Sequence, residues 1–254
     1  MKSLSFLSAN VNGLLTGFKS PIDPGQSPRF SYLSSLLSSP KAPSILLLQE
    51  TKSSSDFESV FSSLTSHKFF FSHGPSRNSR GVAVALDVTL LPHFSLSPAH
   101  LLTPFPPGTF IGFTLEFQGR SLAIASCYVP DGNAQHTVDR NAFFSSLKAW
   151  KSFYEASGHH ILLLGDFNFI EAPTLDSANG RGTANHIPLI TVWRRSFSDF
   201  VDIFRSHHPR RREFSYFYTV TRDPLVTNAF RLDRAYCDPE LLSFIHVTYP
   251  PSHF

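Results

Sequence analysis

The stretch Ile161-Leu162-Leu163-Leu164-Gly165-Asp166-Phe167-Asn168 places four consecutive apolar residues directly before a polar turn. An apolar run without alternation predicts a β-strand that is buried on both faces. Residues 45–48, followed by Gln49-Glu50-Thr51, have the same form. A carboxylate at the end of a buried strand is costly unless it meets a cation or a hydrogen-bond donor. Both stretches therefore predict buried strands of an α/β fold, with acids at the strand ends that converge on a metal and a phosphate.

Similar short apolar runs, bounded by turn residues, continue along the chain. They predict strands at residues 4–9, 82–86, 110–117, 122–128, 200–204, 214–218, 232–236 and 244–249. Apolar residues at three- and four-residue steps predict a helix over residues 138–154, with shorter helices at 29–37, 57–64 and 187–197. Because these elements do not alternate as regular βαβ units, the pattern favours two packed sheets flanked by helices over a doubly wound sheet.

The composition favours one globular domain over residues 1–254. Hydrophobic residues make up 41% and charged residues 16% of the 254, which excludes a disordered chain, and the 26 phenylalanines predict a Phe-packed core. No apolar run reaches the roughly 20 residues of a membrane helix, so no membrane partner is expected. Two cysteines, Cys127 and Cys237, cannot build a disulfide framework, and neither has a metal-motif neighbour.

The positive charge is concentrated in the last third of the chain. The formal net charge is +3, and the whole excess lies in residues 181–254, where six arginines fall between Arg194 and Arg212. The planar guanidinium suits phosphate oxygens, so this segment favours a polyanionic partner. A solvated basic surface explains the same charge equally well.

Several polar residues follow the predicted strands at their ends. Glu50 offers the hard carboxylate oxygen that Mg²⁺ prefers. Asp166 and Asn168, two apart on a segment predicted to be extended, would project to one side, where one orients a water and the other donates to a phosphoryl oxygen. Each residue has a structural alternative, since Glu50 could cap a helix and Asp166 could form an Asx-turn.

The ordered motifs resemble the endonuclease/exonuclease/phosphatase superfamily, and most of all the apurinic-endonuclease-like domain of LINE-type (non-LTR) retrotransposons. Any single motif is weak, whereas the ordered set, which extends over nearly the whole chain, is specific. The motifs are Ser8-Ala9-Asn10-Val11-Asn12-Gly13, Leu48-Gln49-Glu50-Thr51, Ser126-Cys127-Tyr128-Val129-Pro130, Gly165-Asp166-Phe167-Asn168, Glu213-Phe214-Ser215-Tyr216-Phe217 and Arg231-Leu232-Asp233-Arg234.

The resemblance implies a four-layer α/β sandwich and DNA phosphodiester hydrolysis that depends on Mg²⁺, with Mn²⁺ as a possible substitute. It implies these roles: Glu50 as metal ligand, Asn10 as a second metal or phosphate contact, Asp166 on the attacking water, Asn168 and Tyr128 on the phosphate, and Asp233 beside a catalytic histidine. The nick would leave a 3′-hydroxyl primer for a reverse transcriptase fused downstream, and a DNA substrate implies a nuclear location.

The histidine of the family's Ser-Asp-His motif has no clear match in this chain. His253 lies 20 residues after Asp233 and follows Ser252 rather than an aspartate. We interpret residues 1–254 as ending before the last catalytic strand, which predicts impaired nicking. A decayed element, or His253 as a working substitute, remains the alternative.

The predicted interface with double-stranded DNA joins Arg210, Arg211 and Arg212 to the neighbouring Ser215 and Tyr216. Arginines would hold phosphates and the aromatic residue would stack or wedge between bases. The same aromatic residues could instead alternate into the core. Two rival functions remain open at this point, a phosphomonoesterase of the same superfamily and a catalytically dead DNA-binding remnant of a retroelement.

Overall fold

A computed structural model describes residues 3–14, 27–97, 104–180, 187–220 and 223–246. This described part contains twelve strands. They are β1 Phe6–Asn10, β2 Ile45–Gln49, β3 His67–Ser72, β4 Val82–Asp87, β5 Phe94–Leu96, β6 Phe110–Phe117, β7 Arg120–Tyr128, β8 His160–Asp166, β9 Val201–Asp202, β10 Tyr216–Val220, β11 Asp223–Phe230 and β12 Asp233–Cys237.

Most of the strands form two sheets. The first has the order β1-β2-β4-β3 and the second the order β5-β6-β7-β8-β12-β9, while β10 and β11 form a separate antiparallel hairpin. The pairs β1–β2 and β7–β8 are parallel, and β12 runs antiparallel to β8. The carboxyl end of β8 is therefore next to the amino end of β12, which brings Asp166 opposite Asp233.

Five α-helices lie among the described residues. They are α1 Pro28–Leu37, α2 Thr137–Ala156, α3 Pro173–Asp176, α4 Ile187–Ser196 and α5 Ile203–His207. Shorter 3₁₀ segments cover Ser55–Ser63, Val88–His93, Ala134–His136 and Pro239–Phe244. Helix α1 begins where the Ser27 hydroxyl accepts a hydrogen bond from the Phe30 N–H and Pro28 occupies the first turn, a common helix start.

Three apolar cores separate four layers. The middle core fills the space between the two sheets and includes Val84, Phe113 and Ile124. A second core packs α2 and α4 on the larger sheet, and a third packs α1 on the smaller sheet. The predicted four-layer α/β sandwich is confirmed, and continuous apolar strands such as Ile45–Gln49 are buried because layers cover both of their faces.

Three of the predicted elements differ from the structure. The strand predicted at 200–204 is wrong, because Asp202 accepts a hydrogen bond from the Arg205 N–H and so begins α5 after two strand residues. The segment predicted at 57–64 as a helix is a 3₁₀ segment. Of the strand predicted at 244–249, residue 244 ends a 3₁₀ segment and residues 247–249 lie outside the described residues, as do Ser252 and His253.

The sequence predictions about the cysteines and about membrane helices can be compared with the structure directly. Both cysteines are buried and unpaired. In the described ranges, no helix has the length and apolar character needed to cross a bilayer.

Candidate active site

Four strand ends meet around a small cavity of about 100 Å³. Asn10 is the last residue of β1, Glu50 follows β2, Asp166 ends β8 and Asp233 begins β12. All four line the cavity, together with Asn12, Ser215 and Tyr216. The structure therefore brings together the polar strand ends that the sequence singled out.

Asn10 holds two of the carboxylates in place. Its Nδ2 donates to Glu50 Oε1 and to Asp166 Oδ2, each at 2.9 Å. Its Oδ1 accepts from the Asn12 N–H at 3.0 Å. The amide nitrogen thus faces the carboxylates, while the amide oxygen is bonded to the backbone of Asn12. In this arrangement Asn10 positions Glu50 and Asp166. Its predicted role as a direct metal ligand stays a prediction.

Asp166 and Asp233 face each other across the β8–β12 ladder. Burial raises the pKa of Asp166 well above its ordinary value, and the nearby charges of Asp233 and Glu50 raise it further. Burial, with a contribution from Glu50, raises the pKa of Asp233 to about 6. Gly165 allows β8 to lie close to β7 beside this pair, since a Cβ there would lie 1.9 Å from the Cys127 carbonyl oxygen. The cavity thus concentrates three carboxylates, of which Glu50 pairs with Lys52 while Asp166 and Asp233 have no ion-pair partner in the described part of the chain.

Asn168 adopts a left-handed backbone conformation with φ of +51°, so the segment after Asp166 is not extended as predicted. Its N–H donates to Asp166 Oδ1 at 2.9 Å, which is the Asx-turn that the sequence left open. Its Nδ2 donates to the Val129 carbonyl at 2.8 Å. The turn directs Asn168 beside Tyr128 and keeps Asp166 at the cavity.

Tyr128 retains its proton. Burial raises the pKa of its hydroxyl far above the ordinary value, and the neighbouring Glu50 and Asp166 charges add to the effect. Asn168 hydrogen-bonds to the same hydroxyl. A protonated phenol is a hydrogen-bond donor, as the predicted phosphate contact requires.

Ser215 fixes the start of β12. Its hydroxyl oxygen accepts from the N–H groups of Leu232 at 3.1 Å and Asp233 at 3.0 Å. Asp233 Oδ1 is buried and has no hydrogen-bond partner among the described residues. A buried carboxylate oxygen without a partner, on a residue that shares the cavity with two other carboxylates, is a strong acceptor for a proton or a cation.

These donors suit a divalent cation that retains water ligands. In the described residues, no three His, Cys, Asp or Glu side chains are close enough to form a complete protein cage for a metal. Mg²⁺ is usually bound through one or two carboxylates with waters completing the octahedron, so Glu50 with Asp233 or Asp166 fits that chemistry. Soft thiolate ligands are absent from the cavity lining, which makes a structural zinc site a poor fit.

The predicted DNA-binding segment is only partly free to meet DNA. Arg212 donates to the carbonyl oxygens of Ser177 at 2.7 Å and Ala178 at 2.8 Å. Arg211 pairs with Glu213 at 2.9 Å, whereas Arg210 is exposed. Tyr216 is 47% exposed and borders the carboxylate cavity, so it has not turned into the core.

Sequence reasoning missed a second charged cluster, the Arg–Asp network, formed by Arg205, Arg231 and Arg234 with Asp176 and Asp202. Asp176 is fully buried and accepts from Arg231 Nε at 2.9 Å and Arg234 Nη2 at 3.0 Å. Asp202 accepts from Arg231 Nη2 at 2.6 Å and Arg234 Nη1 at 2.9 Å. Arg231 and Arg234, which lie close to Asp233 in sequence, therefore bind buried aspartates and do not face the carboxylate cavity. The Arg231-Leu232-Asp233-Arg234 spacing is the signal that could have indicated a shared buried partner.

Comparison with known proteins gives a family and a fold. A model of the Endonuclease/Exonuclease/phosphatase family matches residues 7–254. A comparison with curated protein sequences gives no significant match.

Solved structures resemble the chain over nearly its whole length. An AP endonuclease, LMAP, from Leishmania major has a TM-score of 0.72 at 19% identity, covering 95% of this chain and 80% of its own. A 3′-5′ exonuclease, NExo, from Neisseria meningitidis has a TM-score of 0.69 at 18% identity, covering 94% and 89%. The APE2 catalytic domain of Xenopus laevis has a TM-score of 0.66 at 17% identity, covering 94% and 84%. The chain therefore has the fold of the AP endonucleases.

Proposed function

This chain belongs to the Endonuclease/Exonuclease/phosphatase family, and from that premise we propose that it hydrolyses phosphodiester bonds of double-stranded DNA with the help of Mg²⁺. The observation that carries the proposal is the cavity where Glu50, Asp166 and Asp233 converge. The solved proteins of similar fold include an AP endonuclease and a 3′-5′ exonuclease, which supports DNA as the substrate class.

The roles of the side chains follow from their surroundings. Asp166, whose pKa is raised, is suited to orient a water and to accept its proton. Tyr128 would donate its hydroxyl proton to a phosphate oxygen, and Asn168, whose amide already bonds to Val129 and Tyr128, would steady the phosphate by exchanging one of these bonds. Glu50 and Asp233 would hold the cation. When bound, Mg²⁺ supplies Lewis-acid stabilisation of the charge that develops on the phosphoryl group.

An exposed aromatic pair near the cavity favours a polymer over a small phosphomonoester. Tyr216, which lines the cavity, and the next residue of β10, Phe217, are 47% and 60% exposed. Exposed aromatic side chains can stack on bases or wedge into a base step, whereas a soluble phosphate ester offers them nothing to bind.

The test is nicking of supercoiled plasmid by the whole chain in enzyme excess, which detects slow cleavage. We expect Mg²⁺-dependent conversion to open circles that EDTA abolishes. Asp166→Asn should slow it by at least about 10³-fold, because catalytic groups that act as a unit lose most activity together. The exposed Asp56 gives a matched control, and Asp56→Asn should nick at the wild-type rate.

Two outcomes would count against this function. Nicking that survives Asp166→Asn would assign the activity elsewhere in the preparation. Hydrolysis of p-nitrophenyl phosphate with no cleavage of plasmid would favour the phosphomonoesterase instead.

We also propose, from the motif resemblance alone, that the nuclease serves a LINE-type retroelement in the nucleus. The nick would then prime a downstream reverse transcriptase. Full-length transcripts that encode this chain should carry reverse-transcriptase sequence after it, and transcripts that encode an unrelated domain would contradict the proposal.

A further inference from the structure

Lys52 places a positive charge against the carboxylate that the proposed function assigns to the metal. Its Nζ lies 3.3 Å from Glu50 Oε2 and donates to Asn12 Oδ1 at 2.5 Å. Asn10 occupies the other oxygen of Glu50. Both oxygens of the carboxylate are therefore engaged by groups of this chain, one of them by a cation.

The backbone is shaped to hold this pair together. Glu50 and Lys52 have φ angles of +50° and +48°, a left-handed conformation that is uncommon for residues with a Cβ and costs conformational energy. The neighbouring chain fixes it, since the Gly13 N–H donates to the Glu50 carbonyl and the Lys52 N–H donates to the Arg80 carbonyl. Strain that the surroundings over-determine often marks a functional position.

The position of Lys52 is not explained by a need to hold the loop that carries Asn12. The loop that carries Asn12 is already held by Arg29, which donates to the carbonyl oxygens of Asn12 and Gly13. The Gly13 N–H adds a third bond, to the Glu50 carbonyl at 2.6 Å. Lys52 is 29% exposed, so its ammonium can reach solvent or a bound anion.

We propose, on the premise of the function above, that Lys52 is a built-in counter-cation that competes with the divalent metal for Glu50 and turns to a DNA phosphate when substrate arrives. A metal on Glu50 places two like charges side by side, which weakens its binding. A phosphate oxygen offers the ammonium another charged partner and removes that repulsion. Metal and DNA then strengthen each other's binding, as linkage requires.

The experiment measures metal and DNA binding separately, without turnover. Mn²⁺ binding by the whole protein, followed by electron paramagnetic resonance, should be about tenfold tighter (about 1.4 kcal/mol) in Lys52→Met than in wild type. Binding of a duplex oligonucleotide in EDTA should be severalfold weaker in the same variant, because one phosphate partner is lost. Lys52→Arg keeps the charge and should resemble wild type in both measurements.

Opposite signs for metal and DNA identify competition, because a merely structural lysine would weaken both when removed. The exposed Lys68, on β3, provides the charge control, and Lys68→Met should change neither measurement. Unchanged or weaker Mn²⁺ binding by Lys52→Met overturns the inference. If Glu50→Gln still abolishes Mn²⁺ binding in that case, the proposed metal site stands. If wild type binds no Mn²⁺ at all, both the inference and the proposed metal dependence fail.

Discussion

Two pairs of aspartates lie on opposite sides of β12. One pair is surrounded by other carboxylates and the other by arginines. In the carboxylate cavity, Asp166 and Asp233 face each other, and burial raises the pKa of both. In the Arg–Asp network, burial would also raise the pKa of Asp176 and Asp202, but paired arginines outweigh it and hold both below their ordinary values. Asp233 and Arg234 are adjacent in sequence and serve different clusters because successive strand residues point to opposite faces.

The comparison distinguishes aspartates that are paired with arginines and stabilise the fold from aspartates that are unpaired and available for catalysis. Arg231 and Arg234 each contact both aspartates of the network, so its charges are compensated. Asp233 Oδ1, by contrast, has no partner in the described part of the chain. Perturbed carboxylates without compensation are typical of functional sites. Part of the arginine excess is not available to DNA. Arg205, Arg231 and Arg234 pair with buried aspartates, which leaves fewer guanidinium groups to contact phosphates.

The largest effect should come from breaking the compensated cluster. Asp176→Asn leaves three arginines without their shared carboxylate, and loss of one partner from a buried ion pair typically costs about 3–5 kcal/mol. Urea denaturation at pH 7 measures this free energy of unfolding. The cost should shrink on acidification. Because the pKa of Asp176 is lowered in the folded protein, its contribution is complete above the ordinary value of 3.8 and is lost as the pH falls through the lowered value.

A loss below about 1 kcal/mol for Asp176→Asn would show that the network is not a stabilising unit. The exposed Asp56→Asn variant controls for the general effect of removing an acid.

A smaller effect of opposite sign is expected in the carboxylate cavity. Because the pKa of Asp233 is raised to about 6 in the folded protein, ionising it costs stability, and the cost is absent below about pH 4 and complete above about pH 7. Asp233→Asn should therefore raise the free energy of unfolding by about 2–3 kcal/mol at pH 7.5 without divalent cations. At pH 4 the variant and wild type should unfold alike.

Magnesium offers a second comparison for Asp233. Saturating Mg²⁺ should stabilise wild type more than Asp233→Asn, because ligand binding to the folded state adds to its stability. Equal stabilisation of both proteins would remove Asp233 from the metal site.

The smallest expected effect is a difference between Arg210 and Arg212, beside the β10–β11 hairpin, in the salt dependence of DNA binding. Arg210→Ala should reduce the slope of log affinity against log salt for duplex DNA by about 1, the contribution of one phosphate contact. Arg212→Ala should change the slope less and lower the unfolding free energy instead, since Arg212 is bonded to two backbone carbonyls. Fluorescence anisotropy across a salt series measures the slopes. Equal slopes for both variants would show that the backbone contacts do not withdraw Arg212 from DNA.

Local pattern alone predicted much of the fold. Strands such as β2 and β8 are apolar runs long enough to be buried, and α2 has a helical period of apolar residues, so hydrophobic pattern located them nearly residue by residue. The hairpin strand β11 was missed because polar residues interrupt its apolar ones, and β3 and β5 were missed although each contains phenylalanine. Helix α5 was mistaken for strand since its start depends on the Asp202 cap rather than on hydrophobicity.

The residues of the candidate site were predicted from their positions at strand ends and from motif resemblance, whereas their contacts were not. Asn10, Glu50 and Asp166 could be grouped from sequence because each ends or closely follows a predicted strand, and the structure brings these strand ends together from two different sheets. Asn10 bonds to Asp166 across 156 positions, and no local pattern specifies such a partner. Which aspartate is compensated and which is left for chemistry depends on the side chains that other segments bring to each face of β12. Only the tertiary structure decides that, because electrostatic environment is set by neighbours in space and not by neighbours in sequence.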